Sequence, residues 1–310
     1  MKTYLNQSRR AFMRKAAVFA SSSAVGTVST AALAANDSSS DADEINLAIN
    51  LLYLQAQYYT RALGSTIPAT LPAGSGAGGS VEGGTAVTFA DPLIRACAEE
   101  LAADKVAHIV LLRQLLGSNA VSQPAIDVSA KPSGSFSTFM RFAGLIDGAS
   151  AFDPYSSDDS FLLGAFITED VMPTLWRASV AQIVNPAARE IAAGMLATSA
   201  HHAALIRSLI LDRAIVSPGL IAAVQAISDT RDRFDGGTEI DQGLGQMSRA
   251  PGAAASTIIA NIAPTDAFGS VYSRGSGPTL GIMYMTAGTA SNGGFFPAGV
   301  NGTLKTSAPA

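Results

Sequence analysis

Apolar residues recur at alternating spacings of four and three along four long segments of the chain. That spacing places them on one face of an α-helix. The segments span about residues 44–63, 91–116, 160–183 and 185–213, and the third is the most regular. Four amphipathic helices of this length predict an all-α fold built as an antiparallel four-helix bundle.

Each apolar stripe is interrupted near its middle by one or two polar residues. They are Gln55 in the first helix, Lys105 and His108 in the second, Glu169 in the third, and Ser199 and His202 in the fourth. Because an unpaired charge is costly to bury, we expect these groups to meet at the bundle centre. Two of the helices place their polar residues three positions apart, which puts both on one helix face.

This offset has a known chemical use in helix bundles. Di-iron bundles carry Glu-x-x-His on two helices and a single Glu on each of the other two. The present chain has the same layout, but several carboxylates are replaced. The sequence therefore predicts a site of di-metal geometry with an altered set of side chains.

The segments between the helices differ in character. Residues 64–90 are rich in Gly, Pro, Ser and Thr, which predicts an irregular loop. Residues 118–158 form a long crossover with a short helix expected near 136–145. Another short helix is expected at 218–228, and Gly, Pro, Asp and Asn recur after it, so we expect a loop-rich extension.

The N-terminus has the composition of an export signal. Residues 1–34 contain the basic pair Arg9 and Arg10, a modestly apolar run over 16–33 and a final Ala-Leu-Ala. These features are typical of a twin-arginine signal peptide with a small-x-small cleavage site. Serine, threonine and glycine interrupt the run, so no stable membrane span is expected after cleavage. An uncleaved anchor or a basic tail is the alternative.

Removing this segment changes the charge of the protein. The full chain has 20 basic and 24 acidic residues, a net charge of −4. The segment holds five basic residues and no acid, which leaves 15 basic residues against 24 acidic ones and a net charge of −9. An acidic protein of this kind does not suit general nucleic-acid binding. The single cysteine excludes an internal disulfide framework.

Several sequence stretches also point to a known family. They are residues 45–51, 53–59, 106–108, 112–113, 162–166, 169–171, 202–207, 227–229 and 231–232, together with Gly293-Gly294-Phe295-Phe296-Pro297 and Val300-Asn301-Gly302. In these stretches the chain resembles the bacterial and plant desiccation-related protein family, a branch of the ferritin-like superfamily. The resemblance covers roughly residues 41–302. It implies a ferritin-like bundle over 43–230, preceded by a linker over 35–42 and followed by an extension over 231–310 that packs on the bundle.

The departures from this family bear on the site. Leu52 and Gln55 stand where the family often has Glu, and Lys105 and Ser199 stand where it has the Glu of Glu-x-x-His. We expect a degenerate di-metal site in which the Lys105 ammonium takes the place of a cation and pairs with Glu169. The alternative is a single iron or other divalent metal bound by His108, His202 and Glu169, the two imidazoles and one carboxylate of mononuclear iron sites.

Three functional hypotheses follow. The first, which the resemblance favours, is a non-enzymatic stress or envelope protein, periplasmic or secreted, without a cofactor. The second is a metal-binding protein or oxidoreductase that uses the reduced ligand set. The third is a self-assembling surface protein, so a homo-oligomer stays open. Whether the chain is an enzyme is therefore undecided by the sequence, which favours a protein without catalytic activity.

Overall fold

The structure is a computed structural model that describes residues 38–236, 239–245 and 260–308. The predicted export segment lies outside these residues. In chain order the elements are α1 (Ser38–Ala62), β1 (Val81–Gly83), α2 (Pro92–Leu116), β2 (Ile126–Val128), α3 (Ser135–Phe142), α4 (Asp158–Glu169), α5 (Val171–Gln182), α6 (Pro186–Arg213), α7 (Gly219–Asp235) and α8 (Ser276–Tyr284). The prediction of an all-α bundle is confirmed.

Contacts between helix ends fix the directions of the bundle helices. The start of α1 meets the turn after α2, where Asn46 Nδ2 donates to the carbonyl oxygen of Asn119 at 3.0 Å. The start of α2 meets the start of α4, where the Asp91 backbone N–H donates to Asp158 Oδ2 at 2.8 Å. Thus α1 and α2 are antiparallel, whereas α2 and α4 run the same way. The crossover between α2 and α4 gives the connectivity of ferritin-like bundles.

Local capping explains where two of the helices begin. Asp91 accepts a hydrogen bond from the Leu93 N–H at 2.7 Å, and proline occupies the first turn of α2. Asn185 caps α6 in the same way, with Oδ1 accepting from two backbone N–H groups of the first turn. Gly117 ends α2 with a positive φ of 57°. The predicted bounds of both helices agree with the structure.

The third predicted helix is instead two helices that meet at Asp170. Pro173 has no N–H to donate to the Glu169 carbonyl four residues earlier, and its ring crowds that carbonyl. Therefore α4 ends at Glu169, and α5 begins at Val171. The break sets the end of α4 at the bundle centre.

Two other boundaries also differ from the predictions. Helix α1 begins at Ser38, so residues 38–42 of the predicted linker are helical. Its Asp41 is buried and accepts from the backbone N–H groups of Val184 and Asn185, both at 2.8 Å, which ties this end to α6. Helix α7 continues to Asp235, well past the predicted end, because a buried ion network described below holds its last turns.

The long loop after α1 is held against the crossover by a short parallel pair of strands. Val81 pairs with Ile126, and Gly83 pairs with Val128. Gly83 has a φ of 79°, and a Cβ atom there would lie 2.3 Å from the Ser129 backbone, so a larger residue does not fit. The sequence predicted only an irregular loop over residues 64–90, because strands of three residues are too short to give a recognisable alternating pattern.

The bundle core is apolar except at its centre. Leu52, Phe166, Leu175 and Trp176 are fully buried between the helices. No helix within the described ranges is both long enough and apolar enough to cross a bilayer.

Candidate functional site

A buried ion pair lies at the centre of the bundle. Lys105 on α2 places Nζ 2.9 Å from Oε2 of Glu169, the last residue of α4. Both side chains are 0% exposed. The charged residues that interrupt the apolar stripes of α2 and α4 therefore contact each other. This contact is expected because burying either charge without a partner would be costly.

Two histidines lie next to this pair. The rings of His108 on α2 and His202 on α6 stack with centroids 6.1 Å apart. The pKa of His108 is lowered to about 4, first because the ring is buried and then because the Lys105 ammonium is close. His108 is therefore neutral at pH 7.

Asp104, which was not among the predicted site residues, completes the histidine pair. His202 Nε2 lies 3.1 Å from Asp104 Oδ2, and this contact is the main reason that the Asp104 pKa is lowered. The Asp104 side chain is 41% exposed, so this carboxylate links the centre to the surface. Its position four residues before His108, on the same helix face, is the signal that could have identified it.

The remaining predicted site residues have no charge partner. Gln55 Nε2 donates to the Thr168 carbonyl oxygen at 3.3 Å, while its Oε1 has no hydrogen-bond partner among the residues that the structure describes. Ser199 is buried with its hydroxyl unpaired within the described structure, and Leu52 is buried as part of the core. Tyr59 also lies close to this centre, where burial and then the nearby Glu169 charge raise the pKa of its hydroxyl well above the usual value.

These residues do not fit a pair of metal ions. Two divalent cations need several carboxylates to bind and bridge them. Here Glu169 is the one carboxylate on the predicted stripes, and an ammonium group holds one of its oxygens. The three residues predicted for a single metal ion do not fit one in this arrangement either. Among the described residues, His108, His202 and Glu169 do not place one ligand atom each within 4.8 Å of one another.

Another cluster of carboxylates lies where the C-terminal extension meets the bundle. Asp232, Asp235 and Asp241 are buried, and one carboxylate oxygen from each lies within 4.8 Å of those of the other two. Arg274 binds two of them, with Nε 2.8 Å from Asp235 Oδ2 and Nη2 in contact with Asp241 Oδ2. Arg231 Nε lies 2.9 Å from Asp241. The guanidinium groups thus provide the positive charge that a metal ion would provide.

Asp170, the residue at the break between α4 and α5, joins this cluster to the bundle. Its Oδ2 accepts from Arg207 on α6 at 2.6 Å and from Arg231 on α7 at 3.0 Å. Both arginines are fully buried. Ion pairs buried to this degree are costly to break, because the loss of one partner leaves an unpaired charge away from water.

The crossover between α2 and α4, and the polar residues three positions apart on α2 and on α6, define a ferritin-like protein. The model of the Ferritin-like domain family matches residues 40–212, and the chain belongs to this family. It is 28% identical over 211 residues to the Desiccation-related protein PCC13-62 of Craterostigma plantagineum. It is 26% identical over 276 residues to the Ferritin-like catalase Nec2 of Nesocodon mauritianus.

The two matches differ in extent. The first covers 66% of this chain and 66% of the desiccation-related protein, just under two thirds of each. The second covers 85% of this chain and 84% of the catalase. No solved structure matches the chain. The matches confirm the predicted resemblance to ferritin-like, desiccation-related proteins.

Proposed function

We propose that this protein is an exported, non-enzymatic ferritin-like protein with a stress or envelope role, in which a buried ion pair replaces the di-metal site. The observation that carries the proposal is the 2.9 Å contact between Lys105 Nζ and Glu169 Oε2. In this arrangement one ammonium balances one carboxylate, so the centre needs no further cation.

The chemistry of the neighbouring residues supports the same conclusion. Leu52 and Ser199 contribute no charge where the family often has Glu, and Gln55 contributes a neutral amide. A cation brought to this centre would meet the positive charge of Lys105 at close range, which opposes binding. Catalase activity belongs to the named relative, and for this chain we propose none.

The proposed role comes from the relatives rather than from the site. The desiccation-related relative is named for a stress condition, and the twin-arginine pattern of residues 1–34 favours the periplasm or secretion. Both statements remain proposals for this chain. A fold does not by itself determine a function, so the centre must be tested directly.

The test is metal binding by the mature protein, prepared without an affinity tag and reconstituted with Fe(II), Mn(II) or Zn(II). We expect bound metal well below one equivalent per chain. Restoring acids in the variant Gln55→Glu/Lys105→Glu/Ser199→Glu is expected to create metal binding. Lys105→Met is the matched control, because it removes the ammonium without adding a ligand.

The same measurement separates the alternatives. Near-stoichiometric metal in the wild type, lost on His108→Ala or His202→Ala, would replace this proposal with the single-metal one. Hydrogen peroxide consumption above that of a heat-denatured control would contradict the non-enzymatic role.

Self-assembly is the third alternative, and one observation favours it. Leu93, Ile215 and Val216 are 59%, 77% and 72% exposed. Leu93 lies in the first turn of α2, and the other two follow the end of α6. Both of these helix ends lie near the start of α4. Light scattering of the mature protein tests it. A monomer at all concentrations would exclude assembly through this surface.

A further inference from the structure

A polar pocket lies at the end of the bundle where α1 begins and α2 ends. It has a volume of about 440 Å³, within the range of about 300–1,000 Å³ typical of small-molecule sites. Its polar lining comes from four segments of the chain: Asp43 and Asn46 from α1, Ser75 from the first loop, Ser118 and Asn119 from the turn after α2, and Thr303 from the extension.

The floor of the pocket is held together by hydrogen bonds. Asn46 is 6% exposed, and its side chain donates to the Asn119 carbonyl and accepts from the Val121 N–H, both at 3.0 Å. The Ser75 N–H donates to the Ala120 carbonyl at 2.9 Å, which holds the first loop against the same turn. Three of the four segments are therefore joined by hydrogen bonds beneath the pocket.

The fourth wall is fixed by Asn301, which precedes the lining residues of the extension. Its backbone N–H donates to Asn50 Oδ1 at 3.0 Å, and its side-chain amide donates to the carbonyls of Ala77 and Ser122, both at 2.9 Å. These bonds join the extension to α1, to the first loop and to the crossover. A pocket held in place before binding costs less conformational entropy when a ligand enters.

The chemistry of the lining limits the class of ligand. The side chains of Asp43, Ser118, Asn119 and Thr303 make no hydrogen bond to other described residues, so their polar atoms are available. No basic or aromatic residue of the described structure lines the pocket, which disfavours anions and stacked rings. One carboxylate is too few for a divalent cation, which prefers several oxygen ligands with negative charge.

Once anions, aromatic rings and divalent cations are disfavoured, ligands that carry hydroxyl groups fit the lining of the pocket. A hydroxyl both donates and accepts a hydrogen bond, and the free groups of the pocket include a carboxylate, two hydroxyls and an amide. We infer that this pocket binds a small, neutral, polyhydroxylated molecule, a polyol or a saccharide, through adjacent hydroxyl groups. Because the pocket is open to solvent and little apolar surface is buried, the dissociation constant is in the millimolar range.

This site is independent of the bundle centre. Lys105 and Ser118 are 13 positions apart in sequence, which corresponds to about 20 Å along a helix. The inference therefore stands or fails separately from the proposed loss of the metal site.

The experiment measures thermal unfolding of the mature protein in glucose, maltose and sorbitol from micromolar to molar concentration. Neutral polyols stabilise proteins at high concentration by exclusion from the surface, without saturation. Binding to a site adds a shift in Tm that rises at millimolar concentration and follows the occupancy of the site. Comparing the three compounds separates cyclic from linear sources of the hydroxyl groups.

Two variants make the result specific. Ser118→Ala/Asn119→Ala/Thr303→Val removes polar groups of the pocket and leaves the Asn119 carbonyl bond intact. Thr66→Val/Ser150→Ala/Asn292→Ala is the matched control, since it makes the same changes at exposed positions elsewhere. We expect the millimolar shift in the wild type and the control and its loss in the pocket variant, with ¹H–¹⁵N amide shifts of Ser118, Asn119 and Thr303 in the wild type.

Identical changes in Tm for the wild type, the pocket variant and the control at every polyol concentration would overturn the inference. A saturable response to CaCl₂ with none to the polyols would also overturn it and would assign a cation to the pocket. If circular dichroism shows that the triple pocket variant is unfolded, Thr303→Val alone, followed by the amide shifts, provides the same comparison.

Discussion

Lys105 and Glu169 show how two residues can satisfy each other in an apolar bundle. Each charge loses its hydration when it is buried, and the partner 2.9 Å away returns a similar amount of energy. A pair of this kind adds little net stability, but each member makes the other obligatory. The loss of one partner leaves an unpaired charge in the core.

This balance predicts the effect of single and double substitutions. Lys105→Met is expected to lower the free energy of unfolding by about 3–5 kcal/mol, because Glu169 is left buried without a partner. Lys105→Met/Glu169→Leu is expected to be close to the wild type. Urea unfolding followed by circular dichroism measures both.

The matched control is Lys131→Met, which removes an exposed lysine that pairs with Glu82 at the surface. We expect it to change stability little, since solvent screens exposed ion pairs. If Lys105→Met lowered the free energy of unfolding as little as this control does, the central ion pair would not be needed for stability.

At the scale of elements, buried charges join the extension to the bundle. Three buried arginines lie among four buried aspartates. The residues are Arg207, Arg231, Arg274, Asp170, Asp232, Asp235 and Asp241. One negative charge is in excess. Burial, followed by the nearby Asp241 charge, raises the pKa of Asp232 to about 7. Burial also raises the pKa of Asp235, to about 6, although Arg274 opposes it.

The raised pKa of Asp232 predicts how stability depends on pH. Between about pH 4 and pH 7 the folded protein keeps a proton on Asp232 that the unfolded chain has lost, so this contribution to stability falls as the pH rises. Asp232→Asn mimics the protonated form. It is expected to stabilise the protein at pH 8 by on the order of 2 kcal/mol and to have no effect near pH 4.

The measurement is urea unfolding of the wild type and Asp232→Asn across this pH range. The asparagine oxygen can still accept from the backbone N–H groups of Ile240 and Asp241, so the variant changes the charge and keeps these contacts. A difference that is constant with pH would contradict the assigned titration.

At the scale of the whole molecule, the charge is divided between two parts of the chain. The proposed export segment is basic, whereas the remainder carries a net charge of −9. The buried ion pairs and the four-segment pocket require a folded chain. The twin-arginine route, which exports folded proteins, is consistent with such a structure.

This division predicts the result of changing the arginine pair. Arg9→Lys/Arg10→Lys keeps the charge but removes the proposed recognition motif, so we expect the precursor to accumulate inside the cell. Cell fractionation and immunoblotting measure this, with Lys2→Arg as the control for a conservative basic change. Normal export of the double variant would exclude the twin-arginine route.

Much of the fold could be predicted because helix periodicity and capping are local properties. The spacing of apolar residues gave four helical segments, and Asp91 and Asn185 marked two of their starts. The same periodicity placed Lys105 and Glu169 on facing stripes. The break at Asp170 was missed because the apolar stripe continues across it, although Pro173 was present as a signal.

By itself, the sequence determined the helices, the bundle and the polar residues at its centre, since these depend on patterns within short stretches. The pairing of Lys105 with Glu169 followed from their facing stripes, but only the tertiary structure decided which other distant groups meet. Asp104 binds His202 across 98 residues, and Asn301 reaches Asn50 across 251. Such contacts depend on how helices and loops pack in three dimensions, and no local periodicity encodes that packing.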